Sequence, residues 1–513
     1  MTLQSFVLGR WVSGAGPVVP LLDPSTEEVL GEASTGGLDW SAALDYARRV
    51  GGPALRAMTF AERAERLEAL VKALHVHRDA LIELAVASGG NTRGDAKFDI
   101  DGGFGTAMAY VAIGKALGAR RGILDGEAEA LTRGPRYVGQ HALASVPGVA
   151  IHLNAFNFPV WGLFEKLGPA LIAGVPVLAK PALPSALLAH RVTQLAVECG
   201  ALPEGALSVA FAEPEGLLDA VQPGDVVSFT GSSRVGRLVR AHPAVLDGFV
   251  RVNVEADSVN AAVLGPEVED ETFDLFLAEV AREITQKAGQ KCTAVRRIFV
   301  PADRLAEVEG ELSARLAAVV MGNPRSSGVK LGPVMSAAQR QHVSDGILRL
   351  DGACTRVLGG GRGQPLEVPE GKGFFVEPTL FRAPNADVGV VHHEEVFGPV
   401  ATLVPYDGSP ESAGALVARG RGGLCASVYS DDKAFLERAL PLAAPWVGRL
   451  NVGSAKIAPH SPGHGAVLPS SCHGGPGRAG GGQELGGRRG LELYLQRTAY
   501  QGDRPLLEKL LDG

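Results

Sequence analysis

Apolar residues recur at Leu67, Leu70, Val71 and Leu74, the i, i+3, i+4, i+7 spacing that lines one face of an α-helix. Thr59 followed by Glu62 forms a capping box just ahead of that run, so an amphipathic helix is predicted from there. From about residue 148 the pattern changes to short apolar runs, Val149 to Leu153, Val175 to Ala179, Leu207 to Phe211, Val226 to Phe229 and Val250 to Val254. Helical stretches separate them, and strands alternating with helices predict an α/β fold with a parallel sheet covered on both faces. Two of the helices, Gly162 to Ala173 and Ala186 to Cys199, are followed by Gly174 and Gly200, where a helix end favours a left-handed residue. A second alternating region runs from near Asn260 to about residue 450. The glycine-rich stretch His473 to Gly482 follows, and then a β-prone segment, Leu491 to Tyr500. A flexible linker is the plain account of such a stretch, but ordered elements on both sides favour an ordered loop near the active site.

The chain has 513 residues, enough for two or more domains. Hydrophobic content of 46%, charged content of 20% and a net charge of −7 give no electrostatic case for nucleic acid or an anionic membrane. Five cysteines without regular spacing argue against a disulfide framework and for a reducing compartment. The start, Met-Thr-Leu-Gln-Ser-Phe, lacks the build of a signal peptide, and no uncharged apolar stretch approaches a membrane span. The chain reads as soluble and cytoplasmic. No metal-ligand set is assigned.

The richest local pattern is Gly289-Gln290-Lys291-Cys292-Thr293, a thiol among small and cationic neighbours. Such surroundings lower a thiol pKa from its usual value of about 8.5 and make the nucleophilic thiolate. Cys199, Cys354, Cys425 and Cys472 read as inert thiols. In Asp225 to Gly236 a buried strand stops at Gly231 and opens a helix through Ser232, which fits a phosphate at a helix N-terminus or simply a tight turn. Lys180, ahead of Pro181 and Ala182, places a cation at the carboxyl end of a parallel strand, where open α/β sheets bind ligands. Leu183 carries no carboxylate to repel a 2′-phosphate, so NADP is permitted. Glu255, at the end of its strand, is either a solvated carboxylate or a general base for water. Asn157, within Asn154 to Pro159, either turns the chain or donates to an oxyanion. Glu395-Val-Phe-Gly-Pro399 sets a carboxylate and a ring beside a rigid turn.

Phe156-Asn157-Phe158-Pro159, Lys180-Pro181-Ala182, Phe229-Thr230-Gly231-Ser232, Glu255, Gly289 to Thr293 and Glu395 to Pro399 together resemble, in this order, the motifs of the aldehyde dehydrogenase superfamily. The resemblance covers nearly the whole chain. It implies a cofactor-binding domain at 1–127 and 148–258, a catalytic domain at 259–487, and a β oligomerisation arm at 128–147 and 488–513. It also implies Cys292 as nucleophile, Glu255 as base and Asn157 in the oxyanion hole, with Phe156, Lys180, Ala182, Gly231, Ser232, Glu395 and Phe397 as cofactor contacts. A homodimer or homotetramer follows from the arm.

Two departures narrow the resemblance. Ala256-Asp257-Ser258-Val259-Asn260 stands where most members have a Leu-Gly-Gly segment, and the usual tail is replaced from His473 to Gly487 and again at Gln496 to Ala499. Both variants are similar to the branch that oxidises CoA-linked semialdehydes in aerobic aromatic degradation, a branch favouring NADP, with NAD also admitted. The implied substrate is of the 3,4-dehydroadipyl-CoA semialdehyde type, from benzoate. The alternatives are the oxepin-CoA-derived semialdehyde of phenylacetate degradation, whose enzyme carries an extra hydratase domain, and a general aldehyde. Glu255 argues for hydrolysis of the thioester rather than transfer to free CoA.

Overall fold

The computed structural model describes residues 2–511. The capping box forms as predicted: the Thr59 hydroxyl accepts from the Glu62 N–H, the Glu62 carboxylate accepts from the Thr59 N–H, and the helix Phe60–His75 buries Leu67, Leu70, Val71 and Leu74. Gly174, at φ 84°, closes the helix Trp161–Ala173 as a left-handed cap.

Among the described residues nine strands make the first sheet. From one edge it runs, in spatial order, Arg251–Glu255, Val226–Thr230, Ala150–Leu153, Val177–Lys180 and Leu207–Val209, all parallel. The strand Thr2–Val7 extends it antiparallel to Leu207–Val209. Ala150–Leu153 continues to Val177–Lys180 on one side, while the later strands Val226–Thr230 and Arg251–Glu255 lie on the other. The strand order therefore reverses at Leu153, and the crevice beyond the carboxyl ends of Ala150–Leu153 and Val226–Thr230 is where such a sheet takes a ligand.

A second sheet runs in the order Thr355–Leu358, Thr379–Arg382, Val400–Tyr406, Val295–Pro301, Asn260–Leu264, Gly423–Tyr429 and Val447–Gly453, parallel except for its first pair. Only Ala256–Val259 separates Glu255 from Asn260, so the carboxyl edge of the first sheet passes directly to the amino edge of the second. A smaller antiparallel sheet joins Ile123–Ala130, Tyr137–Ser145 and Leu495–Asp503.

The tail differs in part from its expected form. Leu491 to Tyr500 is not one strand: Gly487–Tyr494 is a 3₁₀ segment, and the strand is Leu495–Asp503. Leu491 and Tyr494, three apart, fall on one face of that segment and are both buried, with the Tyr494 hydroxyl 3.1 Å from His152 Nε2. The glycine-rich stretch is ordered, its ends paired as the strands Cys472–Gly474 and Gln483–Leu485. Among the described residues no helix is long and apolar enough to cross a membrane.

Candidate active site

The loop that carries Cys292 leaves the helix Asp270–Thr285 through Lys287, Ala288 and Gly289, at φ 53°, 52° and 66°. Two non-glycine residues in the left-handed region cost about 1–3 kcal/mol each, so the surroundings must hold them there. Arg296 does much of this: Nη2 donates to the Gly289 carbonyl at 2.7 Å and Nη1 to the Gly398 carbonyl at 2.6 Å. A Cβ on Gly289 would sit 2.1 Å from the Gly398 oxygen, so the loop lies flush on the Glu395–Pro399 turn. From beyond the loop, Asn260 Nδ2 donates to the carbonyls of Cys292 (2.7 Å) and Ala294 (3.0 Å).

Three of the sequence-derived residues meet here. Asn157 Nδ2 donates to the Gln290 carbonyl at 3.1 Å, two residues before the thiol. Glu255 ends its strand buried, facing His473, whose Nε2 lies 3.2 Å from Oε1. That contact is an ion pair rather than an aligned hydrogen bond, since Oε1 has no hydrogen-bond partner. His473 Nε2 lies 3.8 Å from Cys292 Sγ. Burial pushes the Glu255 pKa upward, but the His473 imidazolium and Lys166 outweigh it and bring the carboxyl down to about 2.

The thiol itself corrects an expectation. Lys291 does not face Cys292; its Nζ is buried and paired with Glu283 Oε1 at 2.8 Å and Gln286 Oε1 at 2.8 Å. Burial first, and the Glu255 carboxylate second, push the Cys292 pKa well above its usual value. A cation adjacent in sequence projected to the other side of the loop.

Two clefts open on either side of the thiol, and they share Asn154, Ala155, Asn157, Thr230, Glu255 and Cys292. One is narrow and aromatic, walled by Phe98, Phe158 and Trp161, whose ring centroids lie 5.0 to 5.9 Å apart in edge contacts. The other is broad, about 980 Å³, and richer in polar and charged side chains than the first, and Phe156, Ala182, Gly231, Ser232, Glu395 and Phe397 all line it. Lys180 is not part of that lining; it ends the neighbouring strand, 3.8 Å from Glu213. The arrangement brings a thiol, a carboxylate and an amide donor to the junction of a polar and an apolar compartment. The aldehyde dehydrogenase family profile matches residues 11–499.

The chain belongs to the aldehyde dehydrogenase family. It is 45% identical over 483 residues, 93% of each chain, to the 3,4-dehydroadipyl-CoA semialdehyde dehydrogenase of Aromatoleum evansii. It is 28% identical to the non-phosphorylating aspartate-semialdehyde dehydrogenase of Halomonas elongata, over 97% of this chain and 94% of that one. Among solved structures, 3,6-anhydro-L-galactose dehydrogenase in complex with NAP superposes with a TM-score of 0.86 at 22% identity, covering 98% of this chain and 100% of the other. Betaine aldehyde dehydrogenase of Staphylococcus aureus in complex with NAD+ gives 0.85 at 23%, covering 98% and 97%. The protein is an aldehyde dehydrogenase, an oxidoreductase that acts on aldehydes.

The polar cleft of the dehydrogenase fits a dinucleotide. Thr230 Oγ1 and both polar atoms of the Asn154 side chain are buried at the junction without hydrogen-bond partners. The helix Ser233–Arg240 opens into the cleft, but its start is partly capped from within: Asp257 Oδ1 accepts the Ser233 N–H at 2.8 Å and Ser232 Oγ accepts from Val235. Asp257 belongs to the segment that departs from the family pattern.

Behind Glu255 lies a buried charged layer that the motifs did not reveal. Lys166 Nζ pairs with Glu165 Oε1 at 2.7 Å and Glu484 Oε2 at 3.0 Å, and Glu484 Oε1 accepts from Ser228 and Asn253, each at 2.9 Å. Burial pushes Glu165 up to about 7, with Glu484 and Glu255 adding to the rise and Lys166 opposing it. A signal existed: Glu165 and Lys166 interrupt the otherwise apolar run Trp161 to Ala173. His473 had no such signal, lying between Cys472 and two glycines.

Proposed function

We propose that this dehydrogenase oxidises a CoA-linked semialdehyde of the 3,4-dehydroadipyl-CoA type to the carboxylic acid with NADP, in aerobic benzoate degradation. The reading is carried by one observation, the meeting of the polar and aromatic clefts at Cys292, and supported by the 45% identity to the Aromatoleum enzyme. NADP is favoured because residue 183 is a buried leucine and Arg234 lines the cleft, so no carboxylate at position 183 opposes a 2′-phosphate.

Cys292 Sγ adds to the aldehyde carbon. The resulting oxyanion is held by Asn157 Nδ2, which exchanges the Gln290 carbonyl for it, and by the Cys292 N–H. The bound nicotinamide supplies the hydride acceptor. A thioester on Cys292 remains, and Glu255, ionised at neutral pH, takes a proton from water to hydrolyse it. Phe156 and Phe397, in edge contact at 5.9 Å, Ala182, Gly231, Ser232 and Glu395 would hold the cofactor, while Lys180 would serve from the neighbouring strand end. The aromatic wall excludes water from the acyl chain.

Asn157→Ala is expected to lower kcat by about 10²- to 10³-fold. Cofactor affinity measured by fluorescence should stay unchanged, and an unaltered kcat would remove Asn157 from the oxyanion hole. Burial pushes Glu395 up to about 8, with Asp257 adding to it and Arg296 and Arg478 opposing. Its charged form, the better acceptor for ribose hydroxyls, therefore grows in between pH 7 and 9. Cofactor affinity is expected to tighten over that interval by up to about tenfold. Glu395→Gln should flatten the dependence; an equal slope in that variant would point to another group.

The strand Leu495–Asp503 pairs with Tyr137–Ser145 on one side only, and Gln496 to Gln501 are exposed. An open edge of this length supports assembly as a homodimer or homotetramer. Steady-state kinetics with a CoA-linked semialdehyde and with simple aldehydes, each with NAD and NADP, test the specificity. Equal kcat/KM for simple aldehydes, or a preference for NAD, would overturn it, and formation of a new thioester in place of free acid would overturn hydrolysis.

A further inference from the structure

The departure from the family's usual tail begins at His473, and the fold carries this residue to the reacting sulfur. It is buried, and the donor atoms of Glu255, Cys292 and His473 all lie within 4.8 Å of one another. A single nitrogen, Nε2, faces both Sγ at 3.8 Å and Oε1 at 3.2 Å, whereas Nδ1 is buried without a partner. The strand pairing of Cys472–Gly474 with Gln483–Leu485 fixes the backbone beneath it. The ring is thus held between the two groups to which the proposed mechanism assigns nucleophile and base.

We propose that His473, as an imidazolium, is the shared counter-ion that lets Cys292 ionise while Glu255 keeps its own negative charge. The step balances simply. The Cys292 S–H bond breaks, its proton passes to water in the cleft, and the Nε2–H then faces a thiolate and a carboxylate together. Without that positive charge, two anions would lie side by side in a buried site, and one would have to take up a proton. Glu255 is thereby left unprotonated, ready for water in the second half of the reaction. The inference rests on the assignment of Cys292 and Glu255 given above.

The charged surroundings of His473 come from several elements. Glu255 at the end of its strand and Glu165 on the helix Trp161–Ala173 favour the imidazolium, and Arg449 on the strand Val447–Gly453 opposes it. Lys166 and Glu484 lie behind, ion-paired with each other. Burial alone lowers the pKa of the ring, but the adjacent Glu255 carboxylate outweighs it and the net direction is upward. The same pair has a cost for the second half-reaction, since Glu255 held down to about 2 is a weak base. Hydrolysis of the thioester therefore gains when His473 gives up its proton. The two half-reactions make opposite demands on one imidazole, which a merely structural histidine would not impose.

The test compares His473→Asn and His473→Gln with the unaltered enzyme, using iodoacetamide alkylation of Cys292 from pH 5 to 10 and the burst and post-burst rates of cofactor reduction at pH 6. Each variant must first bind cofactor as the unaltered enzyme does, and the pair of substitutions provides for one failing to fold. Alkylation at pH 7 is expected to fall by about tenfold or more, one pKa unit being tenfold in thiolate. The post-burst rate at pH 6 is expected to rise, because Glu255 regains basicity. Superimposable alkylation profiles would overturn the proposal, and so would a parallel loss of both rates. If Cys292→Ala retained turnover, the nucleophile assignment would fall instead, a result distinguishable from either.

Discussion

Replacing Cys292 by alanine is expected to lower aldehyde-dependent cofactor reduction by about 10⁴-fold or more, while cofactor binding is retained. The physical grounds lie in the loop. Cys292 is half-buried, and no other cysteine lines either cleft at the junction. Cys425, the fully buried one, is enclosed behind the loop with His464 Nε2 at 3.0 Å from its sulfur, out of reach of a substrate. Removing one sulfur leaves the Arg296 and Asn260 hydrogen bonds that shape the loop untouched, because all of them reach backbone carbonyls. Turnover measured spectrophotometrically, with cofactor affinity measured alongside, checks the assignment. Substantial residual activity would refute it.

Glu255→Gln is expected to separate the two halves of the reaction. A burst of reduced cofactor close to one equivalent per site should appear, followed by a steady rate lower by about 10²- to 10⁴-fold, the usual worth of a positioned general base. Glutamine keeps the size of the side chain and so leaves no cavity at a buried strand end, but it has no carboxylate to accept a proton from water. Rapid-mixing kinetics reads both phases. Steady turnover at the original rate would assign the base elsewhere, and Glu165, which lines the same cleft and is pushed up to about 7, would be the next residue to replace.

The sequence and the structure agree best where chemistry sits on short, locally defined elements. Glu255 ends a strand whose apolar run is plain in the chain, and Ser232 caps the helix that the Gly231 turn opens. Asn157 follows the strand Ala150–Leu153 at its carboxyl end, where a parallel sheet offers its residues to a ligand. Agreement fails where a side chain could turn either way. Lys291 lies next to Cys292 in the chain, yet the left-handed turn through Lys287 to Gly289 sends it back to Glu283 on the preceding helix.

From the chain alone came the alternating strands and helices, the helix caps and the residues with the right chemistry, because these depend on near neighbours and on the period of apolar positions. Only the tertiary structure decided which charges share a site. Glu165 with Lys166, Glu255, Cys292 and His473 come from distant stretches of the chain, and burial together makes the ionisation of these groups interdependent. Such coupling follows from distance in space and from the exclusion of water, neither of which is written in residue order.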